Sequence, residues 1–220
     1  MKPIAVFIHA AYLPRLQSRI DLYLTKLEES GLLARVSCIY ISTVGSPFDI
    51  QISAHMQNKV KVVHVSPHLK DFELPTLKLL YSYCKMYPEH QVLYLHTKGV
   101  GKDINPCIED WVHYMLYFLI ERHEDAFRLL DSHGTTGVDL LQKPTLHYSG
   151  NFWWANAAHI CTLPDPIAFQ SYPNPLNSPR HNQEFWICFG GSHAHAVQWQ
   201  SNIDCYKRHL HLYPRQMYTS

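Results

Sequence analysis

The sequence has no C-x-x-C pair, no excess of either charge and no long apolar run, and each absence removes a class of protein. Its cysteines, Cys38, Cys84, Cys107, Cys161, Cys188 and Cys205, are dispersed. That argues against a zinc ribbon or a disulfide scaffold and fits reduced thiols in a cytoplasmic compartment. Lys and Arg number 19 against 18 Asp and Glu, a net charge of +1, so nothing favours a nucleic-acid or anionic-membrane surface. No segment approaches the roughly 20 consecutive apolar residues that a transmembrane helix needs. The opening "MKPIAVFIHAAYLPR" carries a short, β-branched apolar run that suits a first core strand better than a signal peptide. The phosphate-loop, G-x-S-x-G, H-E-x-x-H and G-x-G-x-x-G patterns are missing, as are internal repeats and low-complexity tracts.

What is there describes a folded globular chain. Hydrophobic residues make up 46% and charged residues 17% of 220, enough for one domain with a sizeable core. Sixteen histidines and an aromatic share of 13% suit sites that bind polar rings, and equally suit a lineage bias. "IAVFIHA" (4–10) is the continuous apolar run of a strand buried on both faces. Leu16, Ile20, Leu24 and Leu27 follow at helical spacing, with Gly31 as the stop. Strands are expected at 34–42, 60–66 and 91–97, with a helix from Glu73 to Pro88 carrying Pro75 in its first turn, and a short helix or irregular loop between the second and third strands. A long helical stretch covers 107–134, as one helix or two. Short strands, a Pro- and Asn-rich loop at 165–182 and a closing helix-then-strand or strand pair complete the chain. This order indicates an α/β fold with a mainly parallel central sheet flanked by helices, Rossmann-like in plan. Ligands in such sheets bind beyond the carboxyl ends of the strands, so His9, Ser66 and His96–Lys98 are expected to face one crevice.

"VLYLHTKGVGKD" (92–103) is the most informative stretch, because a core strand surfaces there into an imidazole, a hydroxyl, an ammonium and a glycine. "LYLHTKG" followed by "EDWVHYM", then "HYSGNFWWANAAHICTLPDP" (147–166) and "RHNQEFWI" (180–187), resembles the ordered blocks of rhamnan-synthesis-type glycosyltransferases. It is similar as well to uncharacterised bacterial and large-virus glycosyltransferase-like domains. The matching blocks span about residues 91 to 187; the first ninety residues match only in the order of their elements. The resemblance implies a single GT-A-like domain over 1–220, with 1–100 as the nucleotide-binding half and 101–220 as the acceptor-binding half. It implies transfer of a hexosyl or deoxyhexosyl group from a nucleoside diphosphate sugar to a glycan acceptor, as in polysaccharide biosynthesis; inversion is expected, with retention the alternative. In many GT-A enzymes the fourth strand ends in Asp-x-Asp, whose carboxylates hold a divalent cation on the diphosphate. His96 and Lys98 stand there instead. Lys98, helped by His96, Thr97 and the backbone N–H groups around Gly99, is therefore expected to neutralise the charge that grows on the leaving phosphate. No cofactor is expected, Mn2+ or Mg2+ being the alternative.

Other candidates follow. Gly150 lets backbone approach a ligand, and Ser149 and Asn151 offer hydrogen bonds beside it, so the three are expected to line an acceptor or donor-sugar site. Phe152, Trp153 and Trp154 offer flat faces to a sugar; one or two should be core, and Trp153 is carried as a substrate contact. Glu184 is the candidate base, projecting from the first turn of a helix beginning near Asn182, unless it only satisfies that turn's free N–H groups. Arg180 and His181 contact the diphosphate or are solvated. By the same resemblance His9 and Ala10 border the nucleotide base, and Ser66 and Asp71 the base or ribose. His193 and His195 share a face if they lie on a strand, a spacing that can bind zinc but has no acidic partner beside it. Two rival functions remain: a glycosyltransferase-like module that binds glycan or nucleotide without turnover, and a zinc hydrolase.

Overall fold

A computed structural model describes residues 2–47, 49–101, 103–191 and 194–219. The first half alternates strand and helix: β1 (Ile4–Ala11), α1 (Leu16–Glu29), the short α2 (Leu32–Arg35), β2 (Val36–Val44), β3 (Val60–Ser66), α3 (Leu74–Met86) and β4 (Gln91–His96). The second half carries α4 (Pro106–Leu116), α5 (His123–Leu130), β5 (Thr135–Val138), β6 (Leu140–Leu141), β7 (His147–Tyr148), β8 (Trp153–Asn156), α6 (Ala157–Ile160), α7 (Pro166–Phe169), α8 (Pro179–Phe185) and β9 (His195–Trp199).

The fold is mixed α/β. Seven strands form a mostly parallel central sheet in the order β3-β2-β1-β4-β8-β5-β9, in which β8 runs against β4 and β5, and β6 pairs with β7 apart from it. The chain moves outward from β1 to β2 and β3, then returns to the other side of β1 as β4. That reversal is a topological switch point, and the crevice it opens lies at the carboxyl ends of β1 and β4.

Alternation along the strands builds a core on each face of the sheet. Ile4, Val6, Ile8 and Ala10 of β1, with Leu93 and Leu95 of β4, pack with α1 and α4. Ala5 and Phe7, with Val92 and Tyr94, pack with α3 and α8. Burial on both sides explains why these strands read as unbroken apolar runs. The helical stretch after residue 106 divides: Asn105 Oδ1 accepts the Cys107 and Ile108 N–H groups to cap α4, and a π turn over Tyr117–Glu121 separates α4 from α5. The second strand begins two residues later than the sequence pattern predicts, because 32–35 coil into α2. The segment between β2 and β3 is irregular apart from one 3-10 turn at Ala54–Met56. Among the described residues no helix is long and apolar enough to cross a membrane.

The C-terminal segment wraps α4. The Tyr213 N–H donates to the Asp110 carboxylate at 2.5 Å, and the buried Arg208 guanidinium lies over the rings of Tyr114 and Tyr213. Asp139, buried at the end of β5, accepts the Ser201 N–H and hydroxyl at 2.5 and 2.9 Å and ties that segment to the sheet.

Candidate functional site

The turn after β4 is braced from three sides. Tyr23 of α1 donates its hydroxyl to the His96 carbonyl at 2.8 Å. Thr97 extends the β1–β4 pairing: its N–H donates to the His9 carbonyl at 2.9 Å and its hydroxyl accepts the Ala11 N–H at 3.2 Å. Arg15 donates to the Gly99 carbonyl, and Arg15 and Arg19 both pair with Glu109 of α4. Gly99 adopts φ +77°, and a Cβ there would lie 2.8 Å from Ile108 Cγ2, so the turn needs glycine. This bracing holds Lys98 over the cleft, its ammonium 3.9 Å from the centre of the Trp111 ring.

His96 points into the same cleft. Its Nε2–H donates to the Gly150 carbonyl at 2.9 Å and its ring stands edge-on to Phe152. Burial, then the charge of Lys98, pushes its pKa down to about 3 against the pull of that carbonyl, so the ring is neutral at physiological pH. His9, on the α3 side of β1, lies 3.0 Å from Thr76 Oγ1 and is pushed down to about 4, by burial first and by His96, with Glu73 opposing.

Glu73, at the N-terminus of α3, is the carboxylate that the sequence pattern did not single out. Its Oε2 accepts the Tyr94 hydroxyl at 2.9 Å and the Asn151 amide at 2.5 Å, and its Oε1 lies 3.9 Å from His96 Nδ1. Its own N–H donates to Gln183 of α8 at 2.7 Å. The only trace in the sequence is a glutamate beside the Leu-Pro that opens α3, a common helix start. Its role arises from three segments that meet on it.

The cavity at this switch point has two lobes. The larger, about 590 Å3, runs from His9 and Ala11 past Phe72 to the 98–101 turn and His209. The smaller, about 210 Å3, lies between the 149–151 turn and His147, His181 and Phe185. Glu73, His96, Lys98, Trp111, Arg180 and Glu184 line both, so they form a common wall. Glu184 lies in the last turn of α8, not the first: the helix starts at Pro179 after Ser178. It is therefore no N-terminal cap, and no hydrogen bond or ion pair to another described residue holds its carboxylate.

Most candidates gather here, with corrections. Lys98, His96, Glu184, Arg180, Gly150 and Asn151 share the cleft, and Ser149 and His181 line its small lobe. His9, Thr97 and Gly99 line the large lobe, although the Thr97 hydroxyl is taken up by the backbone of β1. The Lys98 N–H donates to the His96 carbonyl at 2.7 Å, so it is not among the amides free to meet a ligand. Ala10 faces the α1 side of the sheet, because alternation turns only His9 and Ala11 to the crevice. Ser66 and Asp71 satisfy each other at 2.5 Å outside both lobes. Trp153, 1% exposed, stacks on Tyr94 in the core; Phe152 and Trp154 are buried too, so all three aromatics are packing residues. His193 lies outside the described residues, and His195 is buried with Nδ1 2.6 Å from Thr135 Oγ1.

Residues 11–201, which include every element from the end of β1 to β9, match the family described as Domain of unknown function (DUF8361). The chain belongs to DUF8361. No curated protein matches it. The family description names no chemistry.

The atoms of the cleft do not suit a divalent cation at the end of β4. The His96 Nε2–H is committed to a carbonyl, and the Lys98 ammonium already places positive charge beside the ring. Among the described residues no group of three or more His, Cys, Asp and Glu side chains is placed to hold a metal ion. What the cleft offers is a fixed ammonium, a carboxylate with no hydrogen bond or ion pair to another described residue, and hydrogen-bond acceptors on a wall shared by two lobes.

Proposed function

We propose that this DUF8361 chain is a glycosyltransferase of GT-A-like fold, moving a hexosyl or deoxyhexosyl group from a nucleoside diphosphate sugar to a glycan hydroxyl with inversion. The observation that carries the reading is the convergence of Lys98 and Glu184 on the wall shared by the two lobes at the sheet's switch point. A transfer between two substrates needs adjoining subsites with the reacting groups at their junction. The larger lobe, between β1 and the 98–101 turn, is the donor site; the smaller is the acceptor site.

In this mechanism the acceptor oxygen attacks the anomeric carbon from the face opposite the diphosphate, and Glu184 takes the hydroxyl proton. The bond from the anomeric carbon to the phosphate oxygen breaks, and its electron pair leaves on the diphosphate. The Lys98 ammonium meets that charge, in a position held by Trp111 and by the bracing of the turn. Arg180, on the same wall with its guanidinium 4.7 Å over the Phe72 ring, adds positive charge to the donor side.

The test is release of nucleoside diphosphate from UDP-, GDP- and dTDP-linked hexoses, with and without glycan acceptors and in the presence of Mn2+ or EDTA. Turnover that survives EDTA and falls by about a hundredfold or more in Lys98→Met is the expected outcome. Methionine keeps most of the unbranched apolar stem while removing the ammonium. Tight nucleotide binding with no transfer to any acceptor would assign the cleft to a binding module instead.

A further inference from the structure

The shared wall contains two hydrogen-bond acceptors that face each other with no donor from a described residue between them. Both of the hydrogens given to Glu73 by Tyr94 and Asn151 go to Oε2. Oε1 receives none from a described residue and lies 3.9 Å from His96 Nδ1. The Nδ1 atom carries a lone pair, since the ring's hydrogen is on Nε2, donated to Gly150. A carboxylate oxygen and an imidazole lone pair repel at this separation, and leaving both without a donor in a half-buried site is costly. The pair is rigid: Tyr94 and Asn151 fix the carboxylate, and Gly150 and Phe152 fix the ring.

Two features narrow what fills the gap. Both residues line both lobes, which places the pair at the junction where the transferred ring must lie between diphosphate and acceptor. Lys98 acts against positive charge at His96 more strongly than Glu184 favours it, and Arg180 adds to Lys98, which disfavours a protonated amine or a metal cation there. A neutral group with two hydrogens to give remains, and on a sugar ring lying at this junction two hydroxyls on neighbouring carbons supply them.

Resting on the reading of the cleft as a sugar-nucleotide site, we propose that Glu73 Oε1 and His96 Nδ1 together accept the hydroxyl hydrogens of two neighbouring carbons of the transferred sugar. The cleft thereby selects donors with a free vicinal diol. A site built to meet such hydroxyls rejects a sugar lacking one, because a buried acceptor is left unpaired.

Titration calorimetry with UDP-glucose, GDP-mannose and dTDP-glucose, each against its bare nucleoside diphosphate, tests this. Wild-type protein should bind the 2-, 3- or 4-deoxy analogue of the best sugar nucleotide about tenfold or more weakly. Glu73→Gln keeps an oxygen for Tyr94 and Asn151 but puts an amide donor where Oε1 would accept, so the sugar hydroxyl there loses its acceptor. It should weaken the sugar nucleotide to the same degree, leave the bare nucleotide within about twofold, and be indifferent to the deoxy change. Deoxy analogues that all bind wild-type protein as well as the parent would overturn the proposal without any variant. Equal loss of bare nucleotide in Glu73→Gln would make Glu73 a structural residue, and tighter binding of UDP-glucosamine than UDP-glucose would make the pair a cation site. If no sugar nucleotide binds wild-type protein, the transferase reading falls together with this one.

Discussion

Gly150 is where backbone geometry and chemistry meet in a single residue. Its φ is +89°, and a Cβ would lie 2.5 Å from Met115 Sδ and 3.2 Å from Trp111 Cζ2. Its carbonyl is the acceptor that sets the tautomer of His96. An alanine must strain the backbone and displace α4 side chains that cannot all yield. Gly150→Ala is expected to cost about 1–3 kcal/mol, read as a lower urea midpoint, and to disturb the site in the same step. An unchanged midpoint would mean that the 149–151 turn is not packed against α4 as described. The glycine was legible as a place of close approach. The approach that needs no Cβ is to Met115 and Trp111 of α4, and the turn lines the small lobe beside them.

At the scale of elements, α8 is too short to be stable alone and depends on what holds it. Asn182 does most of this: its amide donates to the carbonyls of Phe169, Gln170 and Tyr172 at 3.1, 3.1 and 2.9 Å, and its oxygen accepts from Asn174 at 2.8 Å. Gln183 joins the helix to α3 through the Glu73 N–H. Asn182→Ala removes the donor to the part-buried carbonyls of Gln170 and Tyr172, while that of Phe169 keeps the Tyr172 N–H, an expected loss of about 1–3 kcal/mol. Amide exchange should speed up across 181–188 while β1 and β4 keep their protection; uniform protection would refute the role given to Asn182. The start of α8 was expected three residues too late. Ser178-Pro179 is itself a helix-opening pair, proline being suited to the first position where its missing N–H costs nothing. The surrounding run of Pro and Asn hid it.

At the scale of the molecule, three neutral histidines, His9 and His195 buried and His96 half-buried, couple stability to pH. Burial first, with neighbouring charges, lowers His96 to about 3 and His9 and His195 to about 4. In the unfolded chain each takes up a proton near pH 6.5, whereas the folded chain does not until pH 4 or below. Stability is thus full above pH 7 and declines as pH falls through 6.5 towards 4, by about 1.4 kcal/mol per unit for each ring. Glu109 and Glu121 add a loss at lower pH: burial raises each, but arginine partners more than offset it and hold both below the usual carboxylate range. Urea midpoints at pH 7.5 and 5.5 check the histidine part, since these carboxylates stay ionised over that interval; equal midpoints would show that the rings do not remain neutral.

Period alone determined much of this protein: which residues of β1 and β4 are buried, that helices lie on both faces of a mainly parallel sheet, and that His96 to Gly99 surface at a strand's carboxyl end. These follow from chemistry repeated along the chain, which a linear reading captures. Only the tertiary structure decided which neighbours meet at that end. Packing consumed Trp153, the pairing of Ser66 with Asp71 withdrew both, and Glu73 gained its place from Tyr94, Asn151 and Gln183. A side chain's partners across a cleft depend on strand order and helix docking, which involve residues far apart in sequence and leave no local pattern to read.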